Sequence, residues 1–471
     1  MAHTDVHFLH PLGYETYPEE ERLQLTTLDY PSICTWMNYA LFFELKDDRQ
    51  RPVLVEALKL GLERTLAQCK QLVGKIEKHD NNLFYVKKRE TTVKFVVKVF
   101  DSDFPSFPHI EQAHFASSKL GDFNQLSVDD MTYGQKPESS PEASPTIAAF
   151  QANFIPGGLI LNTQYHHYAN DVSGWASFVH QLAENCYLII NKTPPPAWEP
   201  SCVDLPRFRA RDVPEESKVD GPPVASRHPL LHKNWSLVLL HLPKHKAAAL
   251  KSLAMPDDGS RISTYDAFSA MIWRVITRHR AAFYHADLDS PPLWGETIDM
   301  RRRLDPPVPK RVQRNIIYAA LSVFQPHQLT AREVISEAPL SRLALYVRSL
   351  TNTATNEALD HFIEAHEPIR DKSCLRVRID SMPPLTIAMT DWRHADVCNA
   401  DFGFGKARAF RQLYSTLTEG MVVVYPPRPS GNPNEGYEFA IPVETPLLES
   451  ILEDAEMKEY FEFRGFEVKG S

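Results

Sequence analysis

The segment "QYHHYANDVSGW" (residues 164–175) sets two adjacent histidines, an aspartate and a Gly-Trp pair close together. Upstream, "TIAAFQANFI" (146–155) and "LILNTQYHH" (159–167) flank "PGG" at 156–158. Proline fixes one torsion of a turn and glycine takes the positive φ that follows, so a β-hairpin is predicted whose second arm ends at the histidines. Downstream, Trp175, Phe178, Val179, Leu182 and Cys186 recur at helical spacing. The histidines therefore stand where a strand ends and a helix begins. A rigid strand aims a side chain there, and helix amides lie nearby. Strand alternation puts His167 on one face with Leu159, Leu161, Thr163 and Tyr165, and His166 on the other with Asn162 and Gln164. Parity alone does not choose between them. Spacing relates His167 to Asp171 as HxxxD and His166 to Asn170 as HxxxN.

Working outward, "RPVLVEALKLGLERTLAQCKQLVGKI" carries Leu54, Leu58, Leu62 and Leu66 at helical spacing, and "TVKFVVKVFD" alternates like a strand. "GQKPESSPEASP" (134–145) reads as a loop, and residues 192–230, rich in proline and charge, as a long crossover between two domains. Beyond it, "WSLVLLHLP" is a predicted strand. "ISTYDAFSAMIWRVITRHRAAF" is a predicted helix capped by Ser263 or Thr264, with Asp266 in its first turn. "LWGETIDMRRRLDPPVPKRVQRN" reads as a strand entering a Pro-rich loop, "LTIAMTDW" (385–392) as a strand, and "DFGFG" (401–405) as a turn needing positive φ.

At 471 residues the chain is long enough for two or three domains. Hydrophobic residues make up 43% and charged residues 24%, the composition of a globular protein. A net charge of -9 leaves no basic footprint for nucleic acid. Cys34, Cys69, Cys186, Cys202, Cys374 and Cys398 are scattered, with neither CxxC pairs nor zinc spacing, so a reducing, cytoplasmic setting is expected. The start lacks a signal-peptide pattern, and no apolar run is long enough to span a membrane. GxSxG, HExxH and GxxxxGK[ST] are absent, and "DFGFGK" lacks both a kinase catalytic loop and the strand–GxGxxG–helix context of a phosphate loop.

HxxxD at a strand end, followed far downstream by DFGFG, resembles the BAHD acyl-CoA-dependent acyltransferases. "LTTLDY" (25–30), "LVGKI" (72–76), "IDMRRRLDPPVPKRVQRN" (298–315), "TDW" (390–392) and "YPPRPSGNPNEGYEFAI" (425–441) extend the likeness over nearly the whole chain. Three departures stand out. The usual HxxxDG is "DVSG" here, with Gly174 three positions after the aspartate, as in a fungal branch that includes trichothecene 3-O-acetyltransferase. DFGWG is DFGFG, and the usual Gly-Asn is Arg314-Asn315.

The resemblance implies an α/β, two-domain chloramphenicol acetyltransferase-like fold, each domain a mixed sheet flanked by helices. It implies an N-terminal domain over 1–200, a crossover over 201–232 and a C-terminal domain over 233–471, with 401–425 packing back onto the first. It implies O-acylation of a secondary metabolite such as a terpenoid or polyketide by acyl-CoA, with acetyl-CoA as expected co-substrate and no resident cofactor or metal. His167 would be the general base in a direct transfer within a ternary complex. Asp171 would turn away to pair with Arg301, with Arg303 as second choice. Thr390 and Trp392 would serve the oxyanion and the acceptor pocket, and Asp401, Gly403 and Gly405 would shape the donor channel. Ser263, Thr264 and Arg303 are the candidates for the CoA phosphates. Expected partners are the alcohol and the acyl-CoA alone, with neither nucleic acid nor membrane, and the chain is expected to be a monomer. The alternatives are N-acylation of an amine, or a CoA-independent cyclisation or condensation on the same fold.

Overall fold

The computed structural model describes residues 3–470 except 130, 135, 227, 229–233, 379–381 and 430. Part of the expected crossover, and residue 233 where the second domain was expected to begin, thus lie outside the described residues. Two mixed sheets organise the chain. The first runs His3–Leu9, Val93–Val99, Ala148–Ile155, Gly158–His166, Trp36–Glu44 and Ala409–Gln412. The second runs Ile317–Leu321, Trp294–Asp299, Ile387–Asp391, Met421–Val424, Tyr437–Glu444, Trp235–Leu242 and Glu462–Val468. A small antiparallel sheet of Glu20–Gln24, Asn82–Lys88 and Lys75–His79 lies beside them.

The hairpin forms as its sequence predicts. Ala148–Ile155 pairs antiparallel with Gly158–His166, and Gly157 takes φ +76° in the turn. Helices Arg51–Gln68 and Val172–Asn191 cover one face of the first sheet and meet where Gly61 abuts Cys186; a Cβ there would lie 2.5 Å from the Cys186 sulfur. The first of these helices ends before the apolar stripe does. Gly74 sits at φ +110° with the Val86 carbonyl against it, so "LVGKI" turns into the strand Lys75–His79 instead.

The other face of the His strand is polar yet buried. Asn162 donates to Leu126 O, Gln164 to Val128 O and Met131 O, and the His166 ring meets Ser139 O. Side chains projecting from this face hold the backbone carbonyls of Leu126, Val128, Met131 and Ser139. In the second sheet, helix Thr264–Phe283 starts at Ser263, whose hydroxyl forms a capping box with Asp266.

The sheets are joined by the strand Ala409–Gln412, which lies late in the chain yet pairs with Trp36–Glu44 of the first sheet. From it Arg411, fully buried, reaches the second sheet. Its guanidinium donates to Glu438 at 2.8 Å, pairs with Glu467 at 3.3 Å and stacks on Tyr425. Burial opposes ionisation of Glu438, but Arg411, Arg428 and Arg464 together hold its carboxyl down at about 2. Replacing Arg411 by Met strands buried Glu467 and takes one of three guanidinium groups from Glu438, so Arg411→Met should lower stability by about 3–5 kcal/mol. Arg408→Met, at the exposed Glu111 pair, should cost less than about 1 kcal/mol. Denaturant unfolding of the two variants checks the contrast.

Candidate active site

His166 and His167 are neighbours with different fates. His166 is completely buried. Its Nδ1 accepts the Tyr168 N–H at 3.2 Å, which leaves Nε2–H to donate to Ser139 O at 2.9 Å. Burial pushes its pKa down to about 4, so the ring is neutral and committed to the fold. His167 is anchored by its backbone, its N–H donating to Thr35 O at 2.9 Å and its carbonyl accepting from Asn315 Nδ2 at 3.1 Å. Its ring is partly exposed and lines a cavity between the sheets. Among the described residues Nδ1 has no hydrogen-bond partner of normal geometry. Burial holds this imidazole below its ordinary pKa, opposed in part by its own carbonyl and by Asp171. A neutral imidazole is a competent proton acceptor.

Asp171 points away from this ring. It is the N-cap of Val172–Asn191: Oδ1 accepts the Gly174 N–H at 2.7 Å, and Oδ2 accepts the Ile316 N–H at 2.8 Å and Arg301 Nη1 at 2.9 Å. Arg301 also donates to Asp299 Oδ1 at 2.9 Å and Arg314 O at 2.8 Å. Burial disfavours its charge, but Asp171 and Asp299 outweigh that and raise its pKa. The pairing of Asp171 with Arg301 is therefore present, and Arg303 takes no part in it. The displaced glycine is explained as well. A Cβ on Gly174 would lie 2.8 Å from both Arg314 O and Asn170 Oδ1, so this turn admits only glycine at that position.

Sequence reading assigned no role to the layer behind His167. Arg314 holds φ +73°, a conformation that favours glycine. Its guanidinium pairs with Asp29 at 2.5 Å and lies over Tyr85. Asn315 Nδ2 meets Asp29 Oδ1 at 3.0 Å and the carbonyls of His167 and Tyr168. Asp29, from "LTTLDY", thus braces the His corner through Asn315. Residues so far apart in the chain leave no periodic signal.

The cavity holds about 140 Å³ of water-accessible space. His167, Met37, Tyr39 and Gln412 line it from the first sheet side, and Thr297, Thr390, Val423 and Leu237 from the second. Thr297, Thr390 and Val423 lie in register on three neighbouring parallel strands. Trp392, expected to serve the acceptor pocket, does line the cavity. Its indole N–H donates to Thr390 Oγ1 at 2.9 Å, so it is not free for a ligand. That bond occupies a lone pair of Thr390 and leaves its hydroxyl hydrogen to point elsewhere. Thr297, which sequence reading passed over, has a buried hydroxyl without a partner among the described residues.

Other predicted residues lie elsewhere. Arg303 donates to the carbonyls of Thr351 and Ala354 at a helix end, and Ser263 is occupied by its capping box with Asp266. Neither they nor Thr264 line the His167 cavity. Asp401, Gly403 and Gly405 form a turn at the end of helix Val172–Asn191. Gly403, at φ +84°, lies against Tyr187 and Asn191, and the Gly403 N–H caps back to Asp401. None of the three lines the cavity; Phe402 and Phe404 instead pack on Phe43. Among the described residues no group of His, Cys, Asp or Glu is placed to hold a metal ion, and no helix is long and apolar enough to cross a membrane.

This geometry matches known proteins over nearly the full chain. The sequence profile of the Transferase family matches residues 15–458. The chain belongs to this family, that of the BAHD acyltransferases. It is 49% identical to Acetyltransferase FGR3 of Gibberella zeae, over 99% of this chain and 95% of that one. It is 25% identical to Trichothecene 3-O-acetyltransferase TRI101 of Fusarium sporotrichioides, over 92% and 95%. Among solved structures, TRI101 of F. graminearum complexed with coenzyme A and deoxynivalenol has a TM-score of 0.77 at 20% identity, covering 94% of this chain and all of that one. Vinorine synthase has a TM-score of 0.69 at 17% identity, covering 98% of this chain and 100% of that one. The expected two-sheet α/β fold is thus the fold of this family, and the protein is an acyltransferase.

Asp171→Ala would deprive a buried guanidinium of one of its two carboxylates and a helix of its cap. The expected loss is about 3–5 kcal/mol in denaturant unfolding, with a fall in turnover as the His167 corner loosens.

Proposed function

We propose that this protein is an acyl-CoA-dependent O-acyltransferase, with acetyl-CoA as donor and a hydroxylated secondary metabolite as acceptor. The observation that carries the reading is the pair of histidines: one tied into the fold, the other neutral, backbone-anchored and facing a sheltered cavity. We assign the ring proton of His167 to Nδ1, beside its own carbonyl, so that Nε2 is the base. Nε2 takes the acceptor's hydroxyl proton as that oxygen attacks the thioester carbonyl. The tetrahedral oxyanion accepts the Thr390 hydroxyl hydrogen, which the Trp392 indole helps to orient. Collapse expels the CoA thiolate, which recovers the proton from His167, leaving ester and free CoA thiol. No covalent enzyme intermediate is formed. The names and bound molecules of the relatives support the choice of donor and acceptor class. The six free cysteines fit a reducing, cytoplasmic setting.

His167→Ala should lower turnover of acetyl-CoA with a panel of hydroxylated terpenoids by about 10²–10⁴-fold. His166→Ala should act chiefly on thermal stability. Equal turnover loss in both variants, or none in the first, rejects the assignment of the base. Release of free CoA thiol with each ester separates this reaction from a CoA-independent cyclisation. Because burial lowers the His167 pKa and the base works deprotonated, the acid limb of kcat/KM against pH should be centred below 6.5.

A further inference from the structure

The cavity has a second polar end. Gln412, which closes the strand Ala409–Gln412, and Tyr414 both line it. They are 1% and 4% exposed. Among the described residues Gln412 Nε2 nevertheless has no hydrogen-bond partner, and the Tyr414 hydroxyl has only the Tyr425 hydroxyl close by. Beside them the hydroxyls of Tyr133 and Thr418 are already bonded to each other. A buried amide donor without an acceptor is a standing cost that a suitably placed ligand oxygen relieves.

The strand register gives the spacing. Gln412 stands opposite Tyr39, and Tyr39 opposite Thr163, four residues back along the strand from His167. At the usual strand rise that is about 13 Å between backbone levels, shortened where side chains lean into the cavity. The lining also includes apolar side chains, among them Ile33, Met37, Leu237 and Val423.

We infer that the acceptor is a two-point ligand. It has an apolar body, the reacting hydroxyl at one end, and a second oxygen function at the other, held by Gln412 and Tyr414. This rests on His167 being the base. The carboxamide and the phenol each donate and accept, so a second hydroxyl suits them best, and a carbonyl also fits. The remote contact decides which oxygen of the acceptor reaches His167, and so sets regiochemistry. Gln412 and Tyr414 are specificity residues and touch no reacting atom.

The test uses the full chain and two probes that differ only at the far end, 1-octanol and 1,8-octanediol. Binding is measured calorimetrically in a His167→Ala background, where no chemistry intervenes. The diol should bind on the order of tenfold more tightly than the mono-alcohol, the effect of one buried hydrogen bond. Adding Gln412→Leu should bring the ratio of the two Kd values close to one, and adding Tyr414→Phe should reduce it. A merely structural role would weaken both probes alike and preserve the ratio. An unchanged ratio in both variants, equal binding of the probes in the parent, or binding of neither overturns the inference. Turnover of the same alcohols by the unmodified chain with acetyl-CoA is read separately. A binding preference without any turnover rejects the acyl transfer and leaves the two-point site standing.

Discussion

The buried pair of Asp171 and Arg301 holds the molecule's working parts together. One carboxylate caps the helix that begins just past the histidines, accepts a backbone N–H from Ile316, and neutralises a guanidinium that in turn gathers carbonyls of the 312–314 segment. A charge this deeply buried tolerates only partners that satisfy it fully, so the geometry has little freedom. The strand-to-helix corner of the first sheet is thereby locked to the segment leaving Trp294–Asp299 in the second. His167 owes its position to that lock rather than to any bond made by its own ring.

A second layer supports the first. Asp29 and Asn315 hold the backbone carbonyls of His167 and Tyr168, and Arg314 accepts a left-handed torsion to place its own guanidinium on Asp29. On the far side Arg411 carries charge from a strand of the first sheet to carboxylates of the second. The cavity lies between these two buried ionic ties. Polar side chains appear on both its walls, but only a few lack partners, and those are the ones able to meet a ligand.

Much of this was legible in the chain. The hairpin followed from Pro-Gly between two apolar runs, and the helix after it from its stripe of Trp175, Phe178 and Leu182. Both signals are local, because turn torsions and helical periodicity are set within a few residues. HxxxD and the D-x-R segment also pointed correctly to one ion pair. Ser263 is a strong N-cap signal, and the structure makes it a cap; Arg303 donates through Nη1 to carbonyls at a helix end. An arginine in a basic run does not reveal whether it faces a ligand or its own backbone.

The sequence by itself determined the elements, the family and the strand-to-helix setting of the histidines, since these depend on neighbouring residues and on a motif carried intact. It left open which histidine faces the cavity. Strand alternation separates the two rings but cannot say which face is covered by what. Only the tertiary structure decided that, by laying Leu126, Val128, Met131 and Ser139 over the face of His166 and the second sheet opposite the face of His167. It likewise turned the Trp392 indole onto Thr390 and left Gln412 Nε2 without a partner among the described residues. The physical reason is the same in each case: a hydrogen bond is spent or spared according to groups that meet only when distant segments fold together.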